Sequence, residues 1–349
     1  MGRHRPQLGR DCGGLAPKFL QNRLIFFTFP TNTLPIEPKN RRNWRGIKEG
    51  AADSRAPVIE VKAVVSQLLG AVLRAAIVML ILATPSLLLP GTSPEGAQVV
   101  TLVALMMGLF VAFEYAAAYP ALVEFRDAPP FNRVRALTLL LMLFCLSVVA
   151  RADAGSTLTL VFNAVGLLVG RALDFPFSPV RLLLDHVPQA APHVWVLQLQ
   201  IMAGLAVFIT LFSLCVFAML IRLHHWPHRD SAFNVWINLP TFDPTTGGDV
   251  VRRLVRDGRV NIILGFALPF LIPVVGVVAV NHMGVTVLNS PHAMVWGIGL
   301  WMFLPLSMFM RGLAMARIAD MIAQRRARLV ADLQADGPVP LAASGRVAR

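Results

Sequence analysis

Charge is the first thing this chain lacks. Only 15% of its 349 residues are Asp, Glu, Lys or Arg, where a soluble domain carries about 25%. With 56% hydrophobic residues and a mean hydropathy of +0.62, the deficit points to lipid as the solvent and excludes an ordinary water-soluble domain. Cysteine is also scarce. Cys12, Cys145 and Cys215 have neither CxxC nor zinc-ligand spacing, so neither a structural disulfide nor a zinc site is expected. There is no HExxH, GxSxG, Walker or GxGxxG pattern in a suitable context, so no catalytic residues and no cofactor are assigned. A repeat of fixed period and an inverted similarity between the halves are both missing, which argues against repeat-built transporters.

What the chain does have is long apolar runs. Six can each cross a bilayer, which takes about 20 apolar residues. They lie near Gln67–Leu89, Ala97–Ala121, Val134–Ala150, Val194–Ile221, Val260–Val280 and Ala293–Met315. Backbone polar groups in lipid must pair within their own segment, so runs of this kind are helices. The expected fold class is an all-α polytopic membrane bundle of six transmembrane helices.

The net charge of +13 does not indicate nucleic acid, because the basic residues flank apolar runs. Twelve Lys and Arg lie between the start and Lys62, three follow the second run, six follow the fourth, and seven lie from Arg311 onward. The loops PGTSPEG and NHMGVTVLNSPH hold none. The positive-inside rule then places both termini in the cytoplasm. The Arg-over-Lys, Ala- and Leu-rich composition fits a bacterial inner membrane.

Residues 1–57 form a basic tail with no burial pattern, expected to be disordered. It also reads as leader translated from a start assigned too early, with Val58 or Val61 as the alternatives. Residues 58–330 are the membrane domain and 331–349 a flexible tail. Gly155–Phe175 is apolar enough for a seventh crossing, but that would place six basic residues outside. It is therefore read as an outer interfacial or re-entrant helix, with a face of Leu158, Val161, Phe162, Val165, Leu168 and Val169. Gly166 and Gly170 make a GxxxG that lets another helix approach closely. Ser178 and Pro179 open a short second helix. After the fourth run, Asp249 reads as the N-cap of an inner amphipathic helix, with Val250, Val251 and Leu254 on its apolar stripe.

Glu114 is the one carboxylate inside a strongly apolar run. A charge at mid-membrane costs several kcal/mol unless paired or hydrated. Arg74 sits at similar depth in the preceding, antiparallel run, so the two are expected to form an intramembrane charge pair. Two further readings stay open: a proton- or ion-coupling carboxylate, and a side chain snorkelling to the interface. RLHHWPHRD resembles a histidine box only in spacing. Arg222, His224, His225, Trp226 and His228, with Arg252, Arg253 and Arg256, are expected to anchor the chain at the membrane surface. His186, His193, His282 and His292 lie in loops or at helix ends, where facing metal or haem ligands would not be placed. The prolines at 269, 273 and 305 lie within apolar runs, where buried neighbours can satisfy the carbonyls they free. The expected partners are the bilayer, anionic headgroups at its cytoplasmic face and a membrane protein, with no nucleic acid. The function expected is non-enzymatic assistance or scaffolding of a larger membrane complex; the alternative is a small-solute or ion transporter using Glu114.

Overall fold

The computed structural model describes residues 56–335, apart from 118–120, 127–128, 154, 186, 188–191, 224–225, 227–237, 244–246 and 284–289, and apart from the side chains of 56–64 and 277–283. Its helices are α1 (Ala56–Leu88), α2 (Pro94–Ala116), α3 (Phe131–Arg151), α4 (Thr157–Ala172), α5 (Pro179–Leu184), α6 (His193–Leu223), α7 (Val250–Met283) and α8 (Pro291–Ala335). Six of them (α1, α2, α3, α6, α7 and α8) are long and apolar enough to cross a membrane. The fold is an all-α polytopic membrane bundle.

Helix starts follow local chemistry. Ser93 caps α2, its Oγ accepting from Gly96 N at 3.0 Å, with Pro94 next in the chain. Ser178 caps α5 in the same way, accepting from Arg181 N at 2.9 Å. Both use a side-chain oxygen to satisfy an N–H that has no partner in the first turn.

The spine is α8. Its 45 residues would extend about 67 Å at 1.5 Å per residue, well beyond a hydrocarbon core. It threads two buried clusters. One gathers Met142, Leu143 and Leu146 of α3, Leu199, Met202 and Leu205 of α6, and Met294, Ile298 and Trp301 of α8. The other gathers Phe125, Phe131, Phe217, Trp226, Leu254, Met310 and Ile318. In lipid, such packing gains close van der Waals contact rather than escape from water, so small residues decide where helices meet.

Two crossings show this. Gly166 and Gly170 of α4 meet Gly204 of α6, where an added Cβ on Gly204 would lie 2.2 Å from Gly166 O and 2.3 Å from Gly170 N. Gly258 of α7 meets Gly312 of α8, whose added Cβ would lie 2.7 Å from Gly258 O. Further along the same pair, the indole N–H of Trp301 donates to Pro269 O at 2.9 Å. That carbonyl would otherwise bond the N–H of residue 273, which is a proline and has none.

The inner amphipathic helix expected at Val250 is not a separate element. It forms the first turns of α7, which runs unbroken into its span. Asp249 does cap it, accepting from Arg252 N at 3.3 Å. Val250 and Leu254, expected to face lipid, are buried in one cluster with Met315, Ile318 and Ala319 of α8. No proline interrupts the chain between Val250 and Leu268, and the long α8 offers a protein surface to the apolar stripe.

α1 and α2 differ from the rest. Only 17% of each span window is buried, against 44% in α3, 50% in α6 and 56% in α8. Gln67 Nε2 donates to Tyr115 O at 3.4 Å and to Ala116 O at 3.3 Å, and Gly108 meets the side chain of Met79. The two helices are thus antiparallel neighbours. Thr92 in their connecting turn lies 3.2 Å from His292 Nε2 at the start of α8.

Candidate functional site: a polar junction at one end of the bundle

The chain leaving α2 carries the polar residues that the bundle gathers. Glu114, in the last turn of α2, is 3% exposed. Its Oε2 accepts from Ala121 N at 3.0 Å, Leu122 N at 3.1 Å and Val123 N at 3.1 Å. The carboxylate therefore occupies a nest of three backbone N–H groups and holds the following segment back against α2. Charge-assisted bonds of this kind contribute about 1.5–3 kcal/mol each. Arg126 closes the loop from the other direction, its Nη1 donating to the backbone carbonyls of Glu114 and Ala117.

The structure does not bring Arg74 and Glu114 together, and the expected pair is corrected. Arg74 Nη1 donates to Gly70 O, one turn back in its own helix, at 2.7 Å. Its guanidinium lies over the Tyr115 ring, 4.6 Å from the centroid. The backbone donors of residues 121–123 satisfy Glu114 without a second charge.

A different ion pair organises the junction. Arg311 of α8 meets Glu124 with two parallel bonds, Nε to Oε2 at 2.7 Å and Nη2 to Oε1 at 2.8 Å. The side chains are 27% and 12% exposed. Thr241, between α6 and α7, donates to Glu124 Oε1 at 2.6 Å. Asn261 of α7 accepts from Arg311 Nη1 at 3.2 Å and donates to Asp257 O at 2.7 Å. Asn132 of α3 donates to Glu124 O at 2.7 Å. Glu124, through its carboxylate and its backbone carbonyl, and the Arg311 guanidinium thus tie together the turn before α3, the segment before α7, and α3, α7 and α8.

Phe125, next to Glu124, is the hydrophobic pin of the same turn. It is 1% exposed with φ of 53°, a conformation uncommon for a bulky residue that persists only where its surroundings enforce it. Here they do: its N–H donates to Asn238 O at 2.7 Å, and its ring lies 4.3 Å from Phe131 and 6.0 Å from Trp226. Arg135 stands beside them, its guanidinium 5.3 Å from the Phe131 ring and 5.9 Å from that of Phe303.

The expected surface anchors divide. Arg222, Arg252 and Arg256 are exposed, and Arg256 pairs with Asp257 at 3.1 Å. Arg253 is half-buried, its guanidinium 4.7 Å from the Phe242 ring. Trp226, expected at headgroup level, is 2% exposed and belongs to the core. Its carbonyl accepts from Arg317 Nε at 3.0 Å. The correction has a simple cause: the chain turns inward after α6, where Phe125 and Phe131 offer the indole a protein environment. His224, His225 and His228 lie outside the described residues, as does His186, and the side chain of His282 is not described. Among the described residues no group of three His, Cys, Asp or Glu is placed to hold a metal ion.

Sequence reasoning missed Glu124, Arg311, Asn261 and Thr241. A signal was present, since Arg311 and Asn261 both fall inside runs assigned as spans, where polar residues are costly enough to require a partner.

Chemically, the junction pairs its carboxylates with donors from three segments: residues 121–123, Thr241 and α8. That arrangement holds helices in register. In comparisons with known proteins, no family model, no curated protein and no solved structure matches this chain.

Proposed function

We propose that the protein is a non-enzymatic scaffold or assembly component of a larger membrane complex, and that α1 and α2 are the surface it presents to a partner helix. The observation that carries this reading is Arg74. It is exposed on a helix whose span window is only 17% buried by its own chain. It lies nine residues into the span beginning at Val65, about 13 Å along the helix axis. Its guanidinium is met by Gly70 O and the Tyr115 ring, neither of which carries a charge, and an acidic group on a neighbouring span would supply one. The alternative, a small-solute or ion transporter using Glu114, loses support because three backbone N–H groups already occupy that carboxylate. On this reading both termini face the cytoplasm of a bacterial cell. Arg222, Arg252 and Arg256 then lie at its inner leaflet, where each arginine gains about 1 kcal/mol from anionic lipid.

Photo-crosslinking in the native membrane tests the proposal. A photoreactive residue at Leu73 or Leu105, both exposed on α1 and α2, should form a discrete protein adduct. The same residue at Ile263, exposed on α7, should not. Lipid adducts alone from all three positions would refute a partner on α1 and α2. A reporter fused at Arg349 should read cytoplasmic.

A further inference from the structure

Another flank of α1 carries a second feature, which does not depend on the partner reading above. Between α1 and α3 runs an apolar groove of about 400 Å³, walled by Leu80, Thr84 and Leu87 on one side and Leu137, Leu141 and Phe144 on the other. Its volume falls in the range of ligand pockets, about 300–1,000 Å³. Thr84 is its one polar side chain, and its hydroxyl donates to Leu80 O within α1 at 2.7 Å. The walls therefore offer a ligand hydrocarbon and no hydrogen bond. Leu80, Leu87 and Leu137 are 50%, 71% and 66% exposed, so the groove opens toward the space that lipid fills.

The groove opens on the lipid-facing side and runs roughly 12 Å along α1 from Leu80 to Leu88 at 1.5 Å per residue. Its hydrocarbon walls suit an acyl chain, which the surrounding bilayer supplies and which asks for no hydrogen bond. Charge then selects the headgroup. Leu137, Leu141 and Phe144 follow Arg133 at i+4, i+8 and i+11, so Arg133 stands on the same helical stripe, one turn beyond the groove. It is exposed and lies near the start of α3, at the end of the span, where a phosphate meets the chain below it.

We infer that this groove is a binding site for an anionic phospholipid, with one acyl chain between α1 and α3 and the phosphate on Arg133. The full-length protein, purified in mild detergent, would be equilibrated with equal amounts of phosphatidylglycerol and phosphatidylcholine of identical chains. Retained lipid would be counted by native mass spectrometry. The glycerol lipid should be retained at least five-fold over the choline lipid. Filling the groove from either wall, by Thr84→Phe or Leu137→Trp, should abolish retention of both, with an unchanged thermal midpoint identifying the variant that remains folded. Arg133→Gln, at an exposed position, should leave retention but remove the preference. Equal retention of the two lipids by the unmodified protein would overturn the charge assignment. Undiminished retention in a folded filled-groove variant would overturn the site. A photo-crosslink from Leu141 to a polypeptide instead of a lipid would replace the lipid with a protein occupant.

Discussion

The pair α1–α2 and the trio α3, α6 and α8 are made of the same kind of residue. Their mean hydropathies are 2.2 and 2.1 for the pair, and 2.0, 2.6 and 1.7 for the trio. Yet about three times as large a share of each span window in the trio is buried within the chain. Hydropathy reports what a helix can touch without penalty, and in a membrane both lipid and protein qualify. The choice between them is made by side-chain shape. In the bundle, Gly166, Gly170 and Gly204 bring α4 and α6 into backbone contact. On α1 and α2, Leu69, Val72, Leu102, Leu105 and Leu109 stand outward, and Gly108 faces the flexible side chain of Met79 rather than a backbone.

The largest test of this contrast is a matched pair of glycine changes. Gly204→Leu drives a side chain into the α4 backbone and should cost about 4 kcal/mol or leave no folded protein, since the facing atoms are backbone and cannot move aside. Gly108→Ala should cost less than about 1 kcal/mol, because Met79 can change rotamer. Thermal midpoints in detergent would measure both, and similar losses would erase the distinction between the regions.

Next in size is the ion pair that holds the junction. Glu124→Ala leaves Arg311 half-buried without its carboxylate and should destabilise by about 3 kcal/mol. Adding Arg311→Met should recover part of that loss, so the double change costs less than the sum of the single ones. Strict additivity would show that the pair is not coupled.

The third test sets Glu114 against Arg74. Glu114→Gln weakens three bonds to backbone N–H and should cost about 2 kcal/mol. Arg74→Gln, on an exposed residue of α1, should cost under about 1 kcal/mol. The two effects should add within about 0.5 kcal/mol, because the side chains do not meet. A coupling well above that would restore the charge pair that the geometry rejects.

The smallest effect concerns pH. The hydrogen bond from Arg326, at 2.6 Å, holds the Asp249 carboxyl below its ordinary value, and its charge adds to this. A depressed carboxylate contributes stability that is fully present above the unfolded value of about 3.9 and is lost as pH falls through the lower folded value. Both side chains are about one-third exposed, so the contribution is a few tenths to about 1 kcal/mol. Asp249→Asn should flatten the stability profile below about pH 4 and lower stability by that small, constant amount above about pH 5. An unchanged acid limb would exclude the pair as a contributor.

Residue order alone determined that this is a six-span helical bundle, because runs of about 20 apolar residues have only one way to pair their backbone in lipid. It also determined the caps at Ser178 and Asp249 and the close approach at Gly166 and Gly170. Those depend on atoms within one turn, or on the absence of a side chain. The same locality explains why neighbouring runs were legible as antiparallel. What only the tertiary structure decided is which polar groups meet. Glu114 and Arg74 have matching depth and adjacent helices, yet the carboxylate turned to backbone N–H groups seven to nine residues further on. Arg311 found Glu124 across 187 positions of chain. Trp226 was drawn inward by Phe125. The indole of Trp301 reached the carbonyl that Pro273 cannot serve. Each of these outcomes depends on the rotation of a helix about its axis and on the path of a loop. Hydropathy is blind to both, because it is summed along the chain, whereas hydrogen bonds depend on angles and distances between segments that only packing brings together.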